Sequence, residues 1–142
     1  MKKKTVAKYQ YTGFGFPVEL ANVEFIILDD EWHPKIDVRK LADITIKKLA
    51  AQKTRLTGHQ IKFIRTYFSM SLRQFASKVV KESHMAVSKW EKFGDQPTRM
   101  DDNIEVMLRL YIYEKTATKT IKQKQSFFEK YLELRNTFFA TA

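Results

Sequence analysis

Three sets of residues in this chain have the types that chemistry needs, and their spacing separates them. Asp29, Asp30 and Glu31 are oxygen donors for a hard cation, but successive residues after a strand point in different directions, whereas such a site needs several oxygens converging on one point. They read as a solvated acidic turn. His33, His59 and His84 are too scattered for a zinc motif or a histidine-based triad, and with no cysteine there is no thiol nucleophile or Cys-based metal site. No glycine-rich phosphate loop follows a strand. An enzyme therefore has no residues to stand on, and no metal or cofactor is expected. The third set suits recognition. His84, Met85, Ser88 and Lys89 lie at spacings of four and five on a short helical stretch, which puts them on one face, while Val87 and Trp90 turn the other way. A lysine can donate to guanine O6 and N7, a methionine can pack on a thymine methyl, and a histidine can donate or accept one hydrogen bond. At the start of that stretch, backbone N–H groups and the Ser83 hydroxyl can meet a phosphate.

Charge agrees with an anionic partner. The chain has 26 basic and 16 acidic residues among 142. Residues 57–99 hold 8 basic and 3 acidic residues, whereas residues 100–142 hold 7 and 6, so a polyanion would be drawn to the middle of the chain. Lysine-rich surfaces also serve solubility, so charge alone does not decide for nucleic acid. The apolar content, 44%, is enough for a core, and no apolar run approaches the roughly 20 residues that span a bilayer. A cytoplasmic protein with no membrane partner is expected.

The elements that must position these residues follow from pattern. Phe14, Phe16, Val18 and Leu20 alternate as a strand, Ala21-Asn22 can turn, and residues 23–28 form a second, apolar strand. The acidic run ends it, and His33-Pro34 marks an extended turn, since the residue before proline avoids helix. Asp37 can cap a helix carrying Val38, Leu41, Ala42, Thr45 and Leu49 to about Lys53. Thr57, Ser71 and Ser83 can each cap a further short helix, with Ile61 and Ile64, Phe75 and Ala76, and Val87 and Trp90 as inward residues. Asp101 or Asp102 starts another with Ile104, Met107, Leu108 and Tyr111 on one face. A last amphipathic helix has one stripe of Phe127, Tyr131, Leu134 and Phe138 and another of Phe128, Leu132 and Phe139. Two stripes are more apolar surface than one neighbour covers, so one of them suits a twofold interface.

Residues 71–90 thus read as two short helices joined by a tight turn. The string S-L-R-Q-F-A from Ser71, followed by S-H-M-A-V-S-K-W-E-K-F-G-D-Q-P from Ser83, resembles the Xre/Cro-type helix-turn-helix of bacterial and phage regulators. The match spans roughly residues 57–115. It departs from the pattern at Val80-Lys81-Glu82, which lacks the usual glycine and is about one residue longer. Carried over position by position, the resemblance makes His84, Met85 and Lys89 contacts to base edges and places Arg73, Ser83 and Lys92 near phosphates. Trp90 anchors the helix inward, and Gly94 with Pro97 turns the chain into the next packing helix.

The N-terminal order, Y-Q-Y-T-G from Tyr9, an extended pair, an acidic bend and a helix leading into T-G-H-Q-I-K-F-I-R from Thr57, resembles MqsA-type antitoxins without their zinc-binding cysteines. The expected fold is mainly α: a five-helix Xre-type core with a small N-terminal β-hairpin plus helix, α+β overall. The expected domains are residues 1–55 for the hairpin and helix, 56–116 for the helix-turn-helix, and 117–142 for a C-terminal packing or dimerisation helix. The resemblances imply a homodimeric, sequence-specific repressor on a palindromic double-stranded operator, of the antitoxin autorepressor type with a toxin partner. A phage-type repressor without a toxin is the alternative, and a nucleic-acid-binding enzyme a remote one.

Overall fold

The computed structural model describes residues 2–117, together with 129 and 132–134. The chain divides into two compact units, Met1–Asp43 and Ile44–Ala142.

In the first unit, strands β1 (Lys3–Tyr11), β2 (Val18–Leu28) and β3 (Glu31–Pro34) form one antiparallel sheet in the order β1-β2-β3. Pairing runs from Lys3 opposite Ile26 to Tyr11 opposite Val18, with no pair at Ala7 and Asn22. Across that gap the inward positions shift by one residue on both strands, from Tyr11 and Tyr9 to Val6, and from Val18 and Leu20 to Val23 and Phe25. Asn22, at φ 54, absorbs the shift. Asparagine tolerates this left-handed conformation better than most residues with a Cβ. The slip brings Tyr9 edge-on to Phe25, with ring centroids 5.3 Å apart. Lys4 lies over the Trp32 ring, its Nζ 4.5 Å from the centroid.

The expected fold needs correction here. There is no turn at Ala21-Asn22: β2 runs straight through it, and the chain reverses instead between Tyr11 and Val18. A break in period-two alternation has two solutions, a turn or a local irregularity within a strand, and this chain uses the second. The acidic run ends β2 at Leu28, as expected, but the sheet continues beyond it. Asp29 and Asp30, at φ 51 and 63, form a two-residue hairpin turn with the signs of a type I′ turn, and Leu28 pairs with Glu31 beyond it. The third strand that follows contains Pro34, tolerated because β3 is an edge. The protein is therefore α+β, with a three-stranded sheet and six helical segments among the described residues. It is not a mainly α five-helix core with an N-terminal hairpin.

Helix α1 (Val38–Ala51) begins in the first unit and continues into the second. Asp37 accepts the Lys40 N–H at 3.1 Å at its start. The second unit adds α2 (Gly58–Tyr67), α3 (Leu72–Phe75) running on into a π-helical turn (Ala76–Val80), α4 (His84–Glu91) and α5 (Asp102–Thr116). Each start is fixed locally. Thr57 and Ser71 form reciprocal capping boxes with Gln60 and Gln74, Ser83 accepts the Ala86 N–H, and Asp101 accepts that of Asn103. Ile46, Leu56, Ile61, Ile64, Phe75, Val87, Leu108 and Ile112 are fully buried.

The crossing between α1 and α2 is irregular, so its carbonyls need partners. Arg109, itself fully buried, donates to the carbonyls of Ala50, Gln52 and Thr54. Its ion-pair partner is Glu105, equally buried one turn earlier at 3.0 Å; Glu105 also accepts the Leu56 N–H at 3.1 Å and faces Arg55. Burial pushes the Arg109 pKa below its ordinary value, and the Glu105 charge opposes the shift. Of the expected α5 face, Leu108 is buried and Ile104 and Tyr111 half-buried, but Met107 is 59% exposed, and Glu105 and Arg109 are buried in addition. Of the expected C-terminal stripes only Leu132, exposed, and Leu134, buried with Val106 and Leu110, are described; Phe127, Phe128, Tyr131, Phe138 and Phe139 lie outside the described residues.

Candidate nucleic-acid interface

Between α3 and α4 the chain spends Lys81 and Glu82 on the turn before the Ser83 cap, because Val80 still belongs to the π-helical turn. Lys81 takes φ 56, the left-handed conformation that glycine usually supplies. The Ala76 carbonyl accepts the N–H groups of both Lys81 and Glu82. The excess residue noted in the sequence is thus taken up as a wider turn at the end of the first helix.

On α4, Met85 is 69% exposed and Lys89, four residues on, is also exposed, while Val87 and Trp90 are buried. His84 is half-buried at the first helical position. The Ser83 Oγ accepts the Ala86 N–H at 3.1 Å, which leaves its own hydrogen free to donate outward. Lys92 is exposed at the end of α4, and Arg73 is exposed on α3. Lys89, Lys92, Met85 and Ser83 therefore belong to one short segment, with Arg73 on the neighbouring helix.

Two contacts that the sequence reading missed hold α4 from behind. The Arg65 guanidinium on α2 meets the Glu91 carboxylate with two bonds, Nε to Oε2 at 2.7 Å and Nη2 to Oε1 at 3.0 Å, and its Nη1 donates to the Met70 carbonyl. Hydrogen bonding to Glu91 holds the Arg65 pKa above its ordinary value. Planar two-point pairing of this kind fixes orientation as well as distance. The signal available in the sequence was a lone arginine in a helix of mostly apolar and neutral residues, and a glutamate beside an inward tryptophan.

Gly58 is the second contact. A Cβ there would stand 2.6 Å from the Trp90 carbonyl oxygen and the Gly94 nitrogen, so α2 starts directly against the end of α4. Backbone bonds continue the seam, from His59 N–H to the Gly94 carbonyl at 2.9 Å and from Thr98 N–H to the Leu56 carbonyl at 3.0 Å, with Thr57 bridged to Pro97. Gly94, at φ 61, turns the chain into this seam.

Arg99, beyond the seam and exposed, was also missed. It joins Lys89, Trp90 and Phe93 around a shallow recess of ≈ 180 Å³. Its only signal was its place as the last basic residue of the basic middle stretch. Among the described residues no cluster of three or more His, Asp or Glu side chains could hold a metal ion, and no helix is long and apolar enough to cross a membrane. Comparison with known proteins finds no matching family model, no matching curated protein and no matching solved structure.

Proposed function

We propose that this chain binds double-stranded DNA sequence-specifically and regulates transcription by occupying an operator, with α4 as the reading helix. The observation that carries the reading is the division of α4 into two sides. Met85 and Lys89 stand in solvent one turn apart, while Val87, Trp90 and the Arg65–Glu91 pair hold the opposite side. Such a helix can enter a major groove without disturbing the core. Lys89 would donate to a guanine edge, Met85 would pack on a thymine methyl, and His84 would supply one hydrogen bond. Ser83, Arg73, Lys92 and the added Arg99 would meet phosphates. A helix of 8 residues offers few base contacts, so two copies on a palindromic site complete the reading.

The test compares Lys89→Ala with Arg73→Ala on a site selected from random duplex and on random duplex itself, across a salt series. Lys89→Ala should weaken the selected site about tenfold while leaving random duplex nearly unchanged, because a specific base contact is worth roughly 1–3 kcal/mol. Arg73→Ala should weaken both and reduce the salt slope by about one. A wild-type protein that retains no duplex at low salt would remove the reading.

A further inference from the structure

A π-helical turn closes each bond over one residue more than an α-turn; such turns are rare, and those that occur are frequently at functional sites. Here it occupies Ala76–Val80, directly before the turn that leads into α4, and it packs against both α4 and α5. Phe75, Ala76 and Val80 are buried, Val79 is half-buried, and Ser77 and Lys78 are exposed. In the wide turn Val80, rather than Val79, is thus the buried valine. The next residue, Lys81, then sits at φ 56, where a Cβ is unfavourable. Two departures from regular geometry thus fall together on the N-terminal approach to α4. Deleting one exposed residue, Ser77 or Lys78, would remove the surplus without removing any core side chain.

We infer that the π-helical turn is a positioning device that sets how α4 is presented to DNA, and so decides which base pairs Met85 and Lys89 reach. This rests on the DNA-binding reading above. Ala76–Val80 and Lys81 need not touch a base for this. They act through α4, whose far end is already fixed by Arg65 and Glu91.

The experiment selects binding sites from a random duplex pool with the wild-type full chain, with a chain lacking Lys78, and with Lys81→Gly. The deletion should fold, bind random duplex within about twofold of wild type, and return a different consensus or half-site spacing. Its affinity for the wild-type site should fall about tenfold, the scale of losing one good base contact. Lys81→Gly keeps the turn length and should return the wild-type consensus at a higher melting temperature. If the Lys78 deletion does not fold, a chain lacking Ser77 and carrying Lys81→Gly gives the same shortened turn with the left-handed position relieved. A folded deletion that selects the wild-type consensus at wild-type spacing overturns this inference alone. A wild-type chain that selects no sequence overturns the DNA-binding reading, and this inference falls with it.

Discussion

The two ends of α4 are held by different means. At the C-terminal end, two-point ion pairing between Arg65 and Glu91, a glycine with no room for a Cβ and a seam of backbone hydrogen bonds leave few degrees of freedom. At the N-terminal end, one serine cap, a left-handed lysine and a widened turn do the work. The hydrogen bonds and ion pair at the first end join residues distant in sequence, whereas those at the second join neighbours. Long-range contacts of this sort set where a helix lies, whereas local ones set where it starts and how the chain enters it. In the proposed DNA-binding role, α4 would need the former to be stiff and could be retuned through the latter.

Gly58→Ala should show the largest effect, because the added methyl meets three backbone atoms that cannot rotate away. A loss of about 3 kcal/mol is expected in denaturant unfolding, at the upper end of ordinary overpacking, along with weaker binding to every duplex. Glu91→Ala should come next. Removing one partner of a fully buried pair costs about 3–5 kcal/mol, and because Arg65 and Glu91 keep 17% and 12% of their side-chain surface wet, about 2 kcal/mol is expected. A cycle with Arg65→Ala should return most of that as coupling between the two. Ser83→Ala should cost about 1 kcal/mol, the usual value of a lost cap, and amide exchange should speed up only at the first turn of α4. If Ser83→Ala proved costlier than Glu91→Ala, the contrast between the two ends would be inverted.

Much of the helical unit was legible because capping is local. Thr57, Ser71, Ser83 and Asp101 each act on an N–H two or three residues ahead, so residue type and spacing locate the helix start. What was not legible involved partners far apart in the chain. Pattern alone could not say that the phase break near Asn22 lies within a strand, because only the pairing with β1 decides it. On α5 it misplaced one member of the expected face: Leu108 is buried and Ile104 and Tyr111 half-buried, but Met107 looks like core until Glu105 and Arg109 are seen to satisfy each other inside. Arg65 and Glu91 are 26 positions apart, and nothing in either neighbourhood announces the other. In the candidate site helical spacing located exposed Met85 and Lys89 and buried Val87 and Trp90, but not the half-burial of His84 and Ser88, and Arg99 reaches the Lys89 recess only through the path of the loop after Gly94.

Proteases usually enter a folded chain where regular structure lapses. Between α1 and α2 there is such a lapse, with Lys53 on the surface as an obvious trypsin target. Yet the strands of main chain on either side of it are gripped from beneath by a single guanidinium rooted in α5. Cleavage at Lys53 therefore requires a fluctuation that breaks these buried Arg109 bonds, so this looped crossing should resist digestion more than an ordinary surface loop.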